Sequence, residues 1–235
     1  MAVERLPTYI EGFDKVLGGG VPRGHVVLVC GTPGTMKTSL TFSILYNNVK
    51  HNGSKGLFIA LEEGHESLKC AMEELGMRNI DDLELYVLDV AKIRIEHKEE
   101  ELTKNWIEIL TKYIEQRVRE SHFDLVAVDS LAALYSLAQL TNPRRDLFHF
   151  FGFLRELGAT TFLISEIPMG SDRLVPYQED FLSDGILYLR QYEVGETDVQ
   201  LRMRCIKMRR TNHERGYFTL MKSDQNFMVT SVITE

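Results

Sequence analysis

With 235 residues, 44% of them hydrophobic and 26% charged, the chain has the make-up of an ordinary globular protein, with room for one α/β domain and little for two. A net charge of −7 and a pI near 5.6 exclude a global basic field that would draw it onto nucleic acid or an anionic membrane. Three widely spaced cysteines, Cys30, Cys70 and Cys205, show no C-x-x-C or Cys/His spacing, which excludes a zinc motif and reads as reduced thiols in a cytoplasmic protein.

In chain order, MAVERLPTYIEGF has no apolar leader character, and no apolar run approaches membrane-spanning length. No linker or repeat interrupts the sequence, so residues 1–235 read as a single domain. HVVLVC (His25–Cys30) is a short, β-branched apolar run that predicts a buried strand, and it leads into the glycine-rich stretch GTPGTMKTS. The following TSLTFSILYNNVKHNG predicts a helix stopped by Gly53. GLFIAL (Gly56–Leu61) predicts a second strand, EEGHESLKCAMEELG a helix ended by Gly76, and LELYVLDV (Leu83–Val90) a third strand.

From Glu99 to about Ser121 the spacing predicts a long amphipathic helix, with Leu102, Trp106, Ile109, Leu110, Tyr113 and Ile114 on one face. FDLVAVDS (Phe123–Ser130) and TTFLISE (Thr160–Glu166) predict the fourth and fifth strands. Between them lie a short helix and a second, Pro143–Leu157, opened by its proline. Beyond Pro168 a long loop gives way to GILYLRQYEV, DVQLRMRCIKMRR and GYFTLMK, alternating runs that predict antiparallel hairpins. The expected architecture is α/β: a mostly parallel sheet flanked by helices, with an antiparallel extension at the C-terminal end.

Strand, glycine-rich loop, helix is the context of a phosphate-binding loop, G-x-x-x-x-G-K-[ST]. Gly31, Gly34, Lys37 and Thr38 fall into that pattern, but Met36 stands where its last glycine belongs. Backbone N–H groups from Thr32, Pro33 being the exception, through Gly34, Thr35, Met36 and Lys37, with the helix start at Thr38 and Ser39, would cradle phosphates. Lys37 would reach the β- and γ-phosphates and Thr38 would offer its hydroxyl to Mg²⁺. If position 36 is left-handed, methionine there costs on the order of 1–3 kcal/mol, tolerable against the charge contacts of a triphosphate. If its φ is negative, the side chain only needs room.

DLVAVDS is a hydrophobic strand that delivers Asp129 to the carboxyl edge of the sheet, where open α/β sheets bind ligands and where it could hold Mg²⁺. Glu62 and Glu63 close the second strand at the same edge, and a carboxylate there can orient the water that attacks a γ-phosphate. Glu62, nearer the strand end, is the preferred base. Glu63, like Glu66, has a second reading as an acid favouring a helix dipole, and the sequence does not separate it cleanly from Glu62. The histidines at 25, 51, 97, 122 and 149 show no ligand spacing, and FHFFGF (Phe148–Phe153) reads as core or subunit packing. Arg144 and Arg145 open the Pro143 helix against its dipole, which would suit an interface or a nucleotide contact.

The chain resembles the KaiC-like branch of the RecA superfamily over nearly its whole length. The resemblance rests on PTYIEGFDKVLGGGVPRG before the loop, then FIALEE, VAVDS, RRDLFHFFGFLRELGATT and DGILYL in order, and above all KMRRTNH (Lys207–His213), similar to the family's K-M-R-G-x-x-H. The resemblance implies a RecA-like P-loop fold, ATP and Mg²⁺, and a homo-oligomeric ring, commonly a hexamer, with nucleotide at the subunit seams. It further implies that Lys207, Arg209, Thr211 and His213 reach the nucleotide of the adjacent subunit. Two residues depart from the pattern, Met36 and Arg210, each where the family usually has glycine, and slow turnover or altered inter-subunit geometry is the expected consequence. The expected function is an ATP-binding, slowly hydrolysing regulatory ring with an unidentified protein partner. A DNA-dependent ATPase of recombinase type is the first alternative, disfavoured by Asp172, Glu179, Asp180 and Asp184 in the long loop, and an inactive nucleotide-binding ring subunit is the second.

Overall fold

The computed structural model describes residues 3–90, 106–138, 140, 142–171, 173–223 and 226–232. In chain order they form β1 (Arg5–Leu6), α1 (Phe13–Val16), β2 (Val21–Pro22), β3 (Val26–Gly31), α2 (Lys37–Asn52), β4 (Gly56–Ala60), α3 (His65–Glu74) and β5 (Leu85–Asp89). There follow α4 (Trp106–Ser121), β6 (Leu125–Asp129), α5 (Leu131–Leu137), α6 (Pro143–Glu156), β7 (Thr160–Glu166), α7 (Glu179–Leu182), β8 (Gly185–Val194), β9 (Asp198–Met208), β10 (Phe218–Lys222) and β11 (Phe227–Ser231).

Nine strands make one sheet in the order β11-β10-β9-β8-β3-β7-β6-β4-β5. From β8 to β5 neighbours run parallel, and from β8 to β11 they run antiparallel. β8 is therefore the joint: it pairs in parallel with β3 on one side and antiparallel with β9 on the other. By its alternation β8 is expected only in the hairpins; β11 and the small β1–β2 ribbon leave no comparable signal, and α3 begins at His65, three residues later than the expected start at Glu62.

The central strands are buried on both faces, which is why they read as unbroken apolar runs. Val27, Val29 and Phe58 point into a core shared with α1, α2 and α3, and that core continues under Phe218, Leu220, Phe227 and Val229 of the antiparallel strands. Val26, Leu28, Cys30, Leu57 and Ile59 point into a second core beneath α4, α5 and α6. Of the amphipathic helix expected from Glu99, the part before Trp106 lies outside the described residues. In the remainder Trp106, Ile107, Leu110, Ile114 and Val118 are buried, while Ile109 is only partly so, a small rotation from the expected face.

Helix α2 stops as its sequence predicts, at a left-handed Gly53 with φ 63°. Helix α6 opens with Pro143, and Asn142 Oδ1 accepts from the Arg145 N–H at 3.1 Å. Arg144, whose place near that N-terminus looked unfavourable, donates to the Gln178 carbonyl instead of facing its own helix end. The aromatic run splits by helical period: Phe150 and Phe151 are core, while Phe148 stays 61% exposed.

Candidate functional site

The chemistry gathers at the carboxyl edge of the parallel strands. β3 ends at Gly31, where a Cβ would lie 2.8 Å from the Leu189 carbonyl oxygen and 2.5 Å from Thr35 Oγ1, so only glycine fits the exit of the strand. The chain then turns through Gly34 at φ 78° and Met36 at φ 60°, and enters α2 at Lys37. Position 36 is thus left-handed, the conformation for which glycine is the undemanding residue. Met36 adopts it and rests its side chain on the α2 core. Thr35 Oγ1 donates to the Thr32 carbonyl at 2.7 Å, and the Lys37 ammonium donates to the same oxygen at 3.0 Å, closing the loop on itself. Burial holds the Lys37 pKa below the usual lysine range, an effect opposed by Glu166 and Asp129.

Beside the loop, Thr38 Oγ1 donates to Asp129 Oδ2 at 2.7 Å. These two residues are 91 positions apart, and it is the pairing of β6 within the sheet that brings them together. Burial pushes the Asp129 carboxyl up to about 6; Glu62 and Glu166 push the same way, while the Thr38 hydroxyl and Lys37 pull it back. The next residue, Ser130, accepts from the Ala133 N–H at 3.2 Å to cap α5 and turns its hydroxyl toward Glu62 Oε2 at 3.4 Å. A cavity of about 120 Å³ is lined by Thr38, Glu62, Glu63, Asp129 and Glu166 over a floor that includes Phe58.

The two adjacent glutamates are placed differently. Both border the acidic cavity, but Glu63 Oε1 accepts from Ser67 Oγ at 2.7 Å, one turn into α3, whereas Glu62 Oε2 faces the Ser130 hydroxyl. Glu166, expected only as a strand end, pairs in register with Gly31 and stands in that cavity too. Its signal was legible: it is an acid closing a buried strand, the feature that singled out Asp129.

Lys207, Arg209, Thr211 and His213 lie at the other end of the sheet. Met208 pairs with Gly185, which pairs with Val27, and the Arg209 N–H bonds the Asp184 carbonyl beside Val26. That is five strand positions below Gly31, about 16 Å by strand rise. The structure therefore does not bring these four residues to the loop of their own chain. Lys207 donates to the carbonyls of Asp180 and Ser183 at 2.8 and 2.7 Å, and Arg209 pairs with Asp184 Oδ1 at 2.7 Å. Thr211 Oγ1 accepts from Arg5 at 2.9 Å, and His213 Nδ1 lies 2.9 Å from the Glu214 carbonyl.

The donor set near Thr38 suits Mg²⁺. A hydroxyl and a carboxylate already meet at hydrogen-bond distance, and the surrounding carboxylates leave an excess of negative charge that a divalent cation would neutralise. Among the described residues no group of three or more His, Cys, Asp or Glu forms a metal cage. Magnesium that completes its shell with phosphate oxygens and water needs none.

A mostly parallel sheet with a glycine-rich turn between its central strand and a helix, and an acid at the end of a nearby strand, defines the RecA-like class of P-loop folds. A family model described as the KaiC ATPase matches residues 6–230, and the chain belongs to that family. It is 30% identical over 224 residues to the circadian clock oscillator protein KaiC of Parasynechococcus marenigrum strain WH8102, covering 93% of this chain and 43% of that one. The corresponding protein of Picosynechococcus sp. is 30% identical over 230 residues, with 92% and 42% covered. The chain thus spans less than half the length of these relatives. Among solved structures, a KaiC-like protein from the archaeon Pyrococcus horikoshii OT3 superposes with a TM-score of 0.83 over 98% of this chain and all of that one, at 24% identity, a likeness of fold.

Proposed function

We propose that residues 1–235 act as one ATPase domain that binds Mg²⁺-ATP at the Gly31–Ser39 loop, hydrolyses it slowly, and closes into a head-to-tail homo-oligomeric ring, a hexamer in the family pattern, which serves as a nucleotide-dependent regulatory or assembly switch. The observation that carries the reading is the Thr38–Asp129 hydrogen bond at the mouth of the loop, with Glu62 in the same cavity. Family membership supports ATP binding at this fold. Among the described residues no helix is long and apolar enough to cross a membrane. The cytoplasm remains the proposed location, and the clock role in the relatives' name is not carried over.

In this reading the N–H groups of the Thr32–Ser39 turn, Pro33 excepted, receive the β- and γ-phosphate oxygens. Lys37 leaves the Thr32 carbonyl for the phosphates, where the charge density is higher. Thr38 and Asp129 would hold Mg²⁺, whose contribution is to neutralise charge on the phosphate oxygens. Glu62 orients a water in line with the γ-phosphorus and takes its proton as the new P–O bond forms and the bond to the ADP oxygen breaks. Lys207 and Arg209, with Thr211 and His213, meet the nucleotide of the next copy and place positive charge where negative charge develops. An interface of this head-to-tail kind closes naturally into a ring.

The deciding test is steady-state phosphate release with Mg²⁺-ATP, with and without single-stranded DNA, beside Glu62→Gln. Slow turnover that ignores DNA and vanishes in the variant supports the switch. Strong stimulation by DNA would move the protein to the recombinase class, and turnover no higher than the variant's would leave a subunit that holds nucleotide without hydrolysing it.

A further inference from the structure

Arg210 stands at φ 58°, a left-handed conformation that glycine takes freely and arginine does not. The turn that imposes it is clamped on both sides. Arg5 donates to the Arg210 carbonyl at 3.3 Å and to the Thr211 hydroxyl at 2.9 Å, and His25 Nε2 lies 3.2 Å from the Arg209 carbonyl. Glycine would keep this backbone at lower strain, so what arginine adds is its side chain alone.

That side chain is exposed, and its guanidinium makes no hydrogen bond or ion pair with a described residue. The other basic groups of the segment are engaged within the chain. Lys207 sits on the carbonyls of Asp180 and Ser183, Arg209 on Asp184, and His213 against the Glu214 carbonyl. Asp184 holds Arg209 firmly, since its carboxylate also takes Arg155 Nε at 2.9 Å and the Val26 N–H at 3.1 Å. Arg210 is therefore the guanidinium of this segment that can leave for another molecule without breaking a contact. It points the segment toward a polyanion, and its forked donors suit phosphate oxygens better than an ammonium would.

We propose, resting on the head-to-tail ring above, that Arg210 contacts the triphosphate bound by the neighbouring copy of this chain and supplies there a cation in addition to that of Arg209, which must first release Asp184. The test compares Arg210→Gly and Arg210→Lys with wild type in three measurements: melting temperature, kcat/KM for Mg²⁺-ATP, and sedimentation in the presence of Mg²⁺-ATP. Arg210→Gly should melt about 1–3 °C higher, because left-handed strain is relieved at an exposed site. It should nevertheless lose about tenfold in kcat/KM while sedimenting as wild type, the size of effect expected from one charged contact. Arg210→Lys should recover part of that loss without the gain in melting temperature.

Mixing Arg210→Gly with Lys37→Ala should give more activity than the two separately, because the second supplies an intact Arg210 to the first one's intact loop. A more stable, equally active Arg210→Gly ring would overturn the assignment while leaving the ring in place. Loss of the ring itself in Arg210→Gly would make Arg210 an interface residue and equally overturn the phosphate contact. A wild type that stays monomeric with Mg²⁺-ATP, with no complementation between Lys37→Ala and Arg209→Ala, would remove the ring and Arg210 together.

Discussion

The two edges of the sheet are charged in opposite senses. At the carboxyl edge Glu62, Glu63, Asp129 and Glu166 crowd one cavity, with Lys37 the nearby ammonium. At the amino edge Arg155 and Arg209 pair with the buried carboxylate of Asp184, Lys207 sits on the Asp180 and Ser183 carbonyls, and Arg210 is exposed beside them. Within one chain these edges are held about 16 Å apart by the rise of β3, too far for a side chain to bridge. A second copy placed head to tail would bring the excess positive edge of one chain onto the excess negative edge of the next, with a nucleotide between them. On the proposed ring the contrast has one meaning: each edge holds a partial site, and one copy alone completes neither.

The largest effects should come from the carboxyl edge. Lys37→Ala and Glu62→Gln are each expected to lower turnover by on the order of 10³, measured as phosphate release at saturating Mg²⁺-ATP. Lys37→Ala should not destabilise the fold, because burial already disfavours that ammonium. Glu63→Gln should fall by less than about tenfold, since its carboxylate is engaged by Ser67 one turn into α3. The reverse ranking of the two glutamine variants would exchange the roles of the glutamates and leave the rest of the edge as described.

Next comes the amino edge. Arg209→Ala should cost about 10²–10³ in turnover while the isolated chain binds nucleotide as before, because the residue stands far from its own loop. Mixed with Lys37→Ala, which keeps the amino edge intact, it should regain activity that neither has alone. Equal loss of nucleotide binding in monomeric Arg209→Ala would break the comparison, for it would mean the two edges communicate within a chain.

Asp184 is the hinge of the amino edge, and its effect is on stability. Burial alone would raise its pKa, but the hydrogen bonds from Arg155, the Val26 N–H and Arg209 prevail and hold it below the ordinary carboxylate range. A carboxylate depressed in the folded state contributes stability that is present above its unfolded pKa of about 3.9 and is lost as pH falls through the lower folded value. Urea denaturation of wild type should therefore show stability rising as pH falls from neutrality toward 4, where the raised Asp129 carboxyl takes up its proton in the fold, and then weakening below about pH 4 as Asp184 is protonated. Asp184→Asn should cost about 2–3 kcal/mol at pH 7 and lose that acid limb. An unchanged acid limb in the variant would place the titration elsewhere.

The carboxyl edge was far more legible in the sequence than the amino edge, for a physical reason. Strands buried on both faces leave continuous apolar runs, so β3 and β6 were found to within a residue or two and β7 to the residue, and the acids that close them fall at predictable places. The amino edge depends on pairings between distant segments. β8 reads as a hairpin strand from its alternation, and its parallel pairing with β3 leaves no local mark. That Lys207 and Arg209 are held by the 180–184 stretch depends on the same fold-level juxtaposition. Residues Met36 and Arg210, which break the family's glycine pattern, both turn out to be left-handed. The pattern reported a backbone requirement, and this chain meets it with other side chains.

The smallest predicted effect tests that last point at the carboxyl edge. Met36→Gly relieves left-handed strain of about 1–2 kcal/mol. Against this stand the greater freedom of glycine in the unfolded chain, roughly 0.5–1 kcal/mol, and the loss of a side chain that packs on the α2 core. The terms nearly cancel, so the melting temperature should stay within about 3 °C of wild type. Turnover should stay within about threefold, because the turn that presents its N–H groups keeps the same φ. Met36→Val is the sharper control: a β-branched residue suits the left-handed region worst and should both destabilise the chain and raise KM for ATP. If Met36→Gly instead raised turnover by an order of magnitude, the methionine side chain itself would be a brake on the loop, and the slow switch would owe its pace to that one substitution.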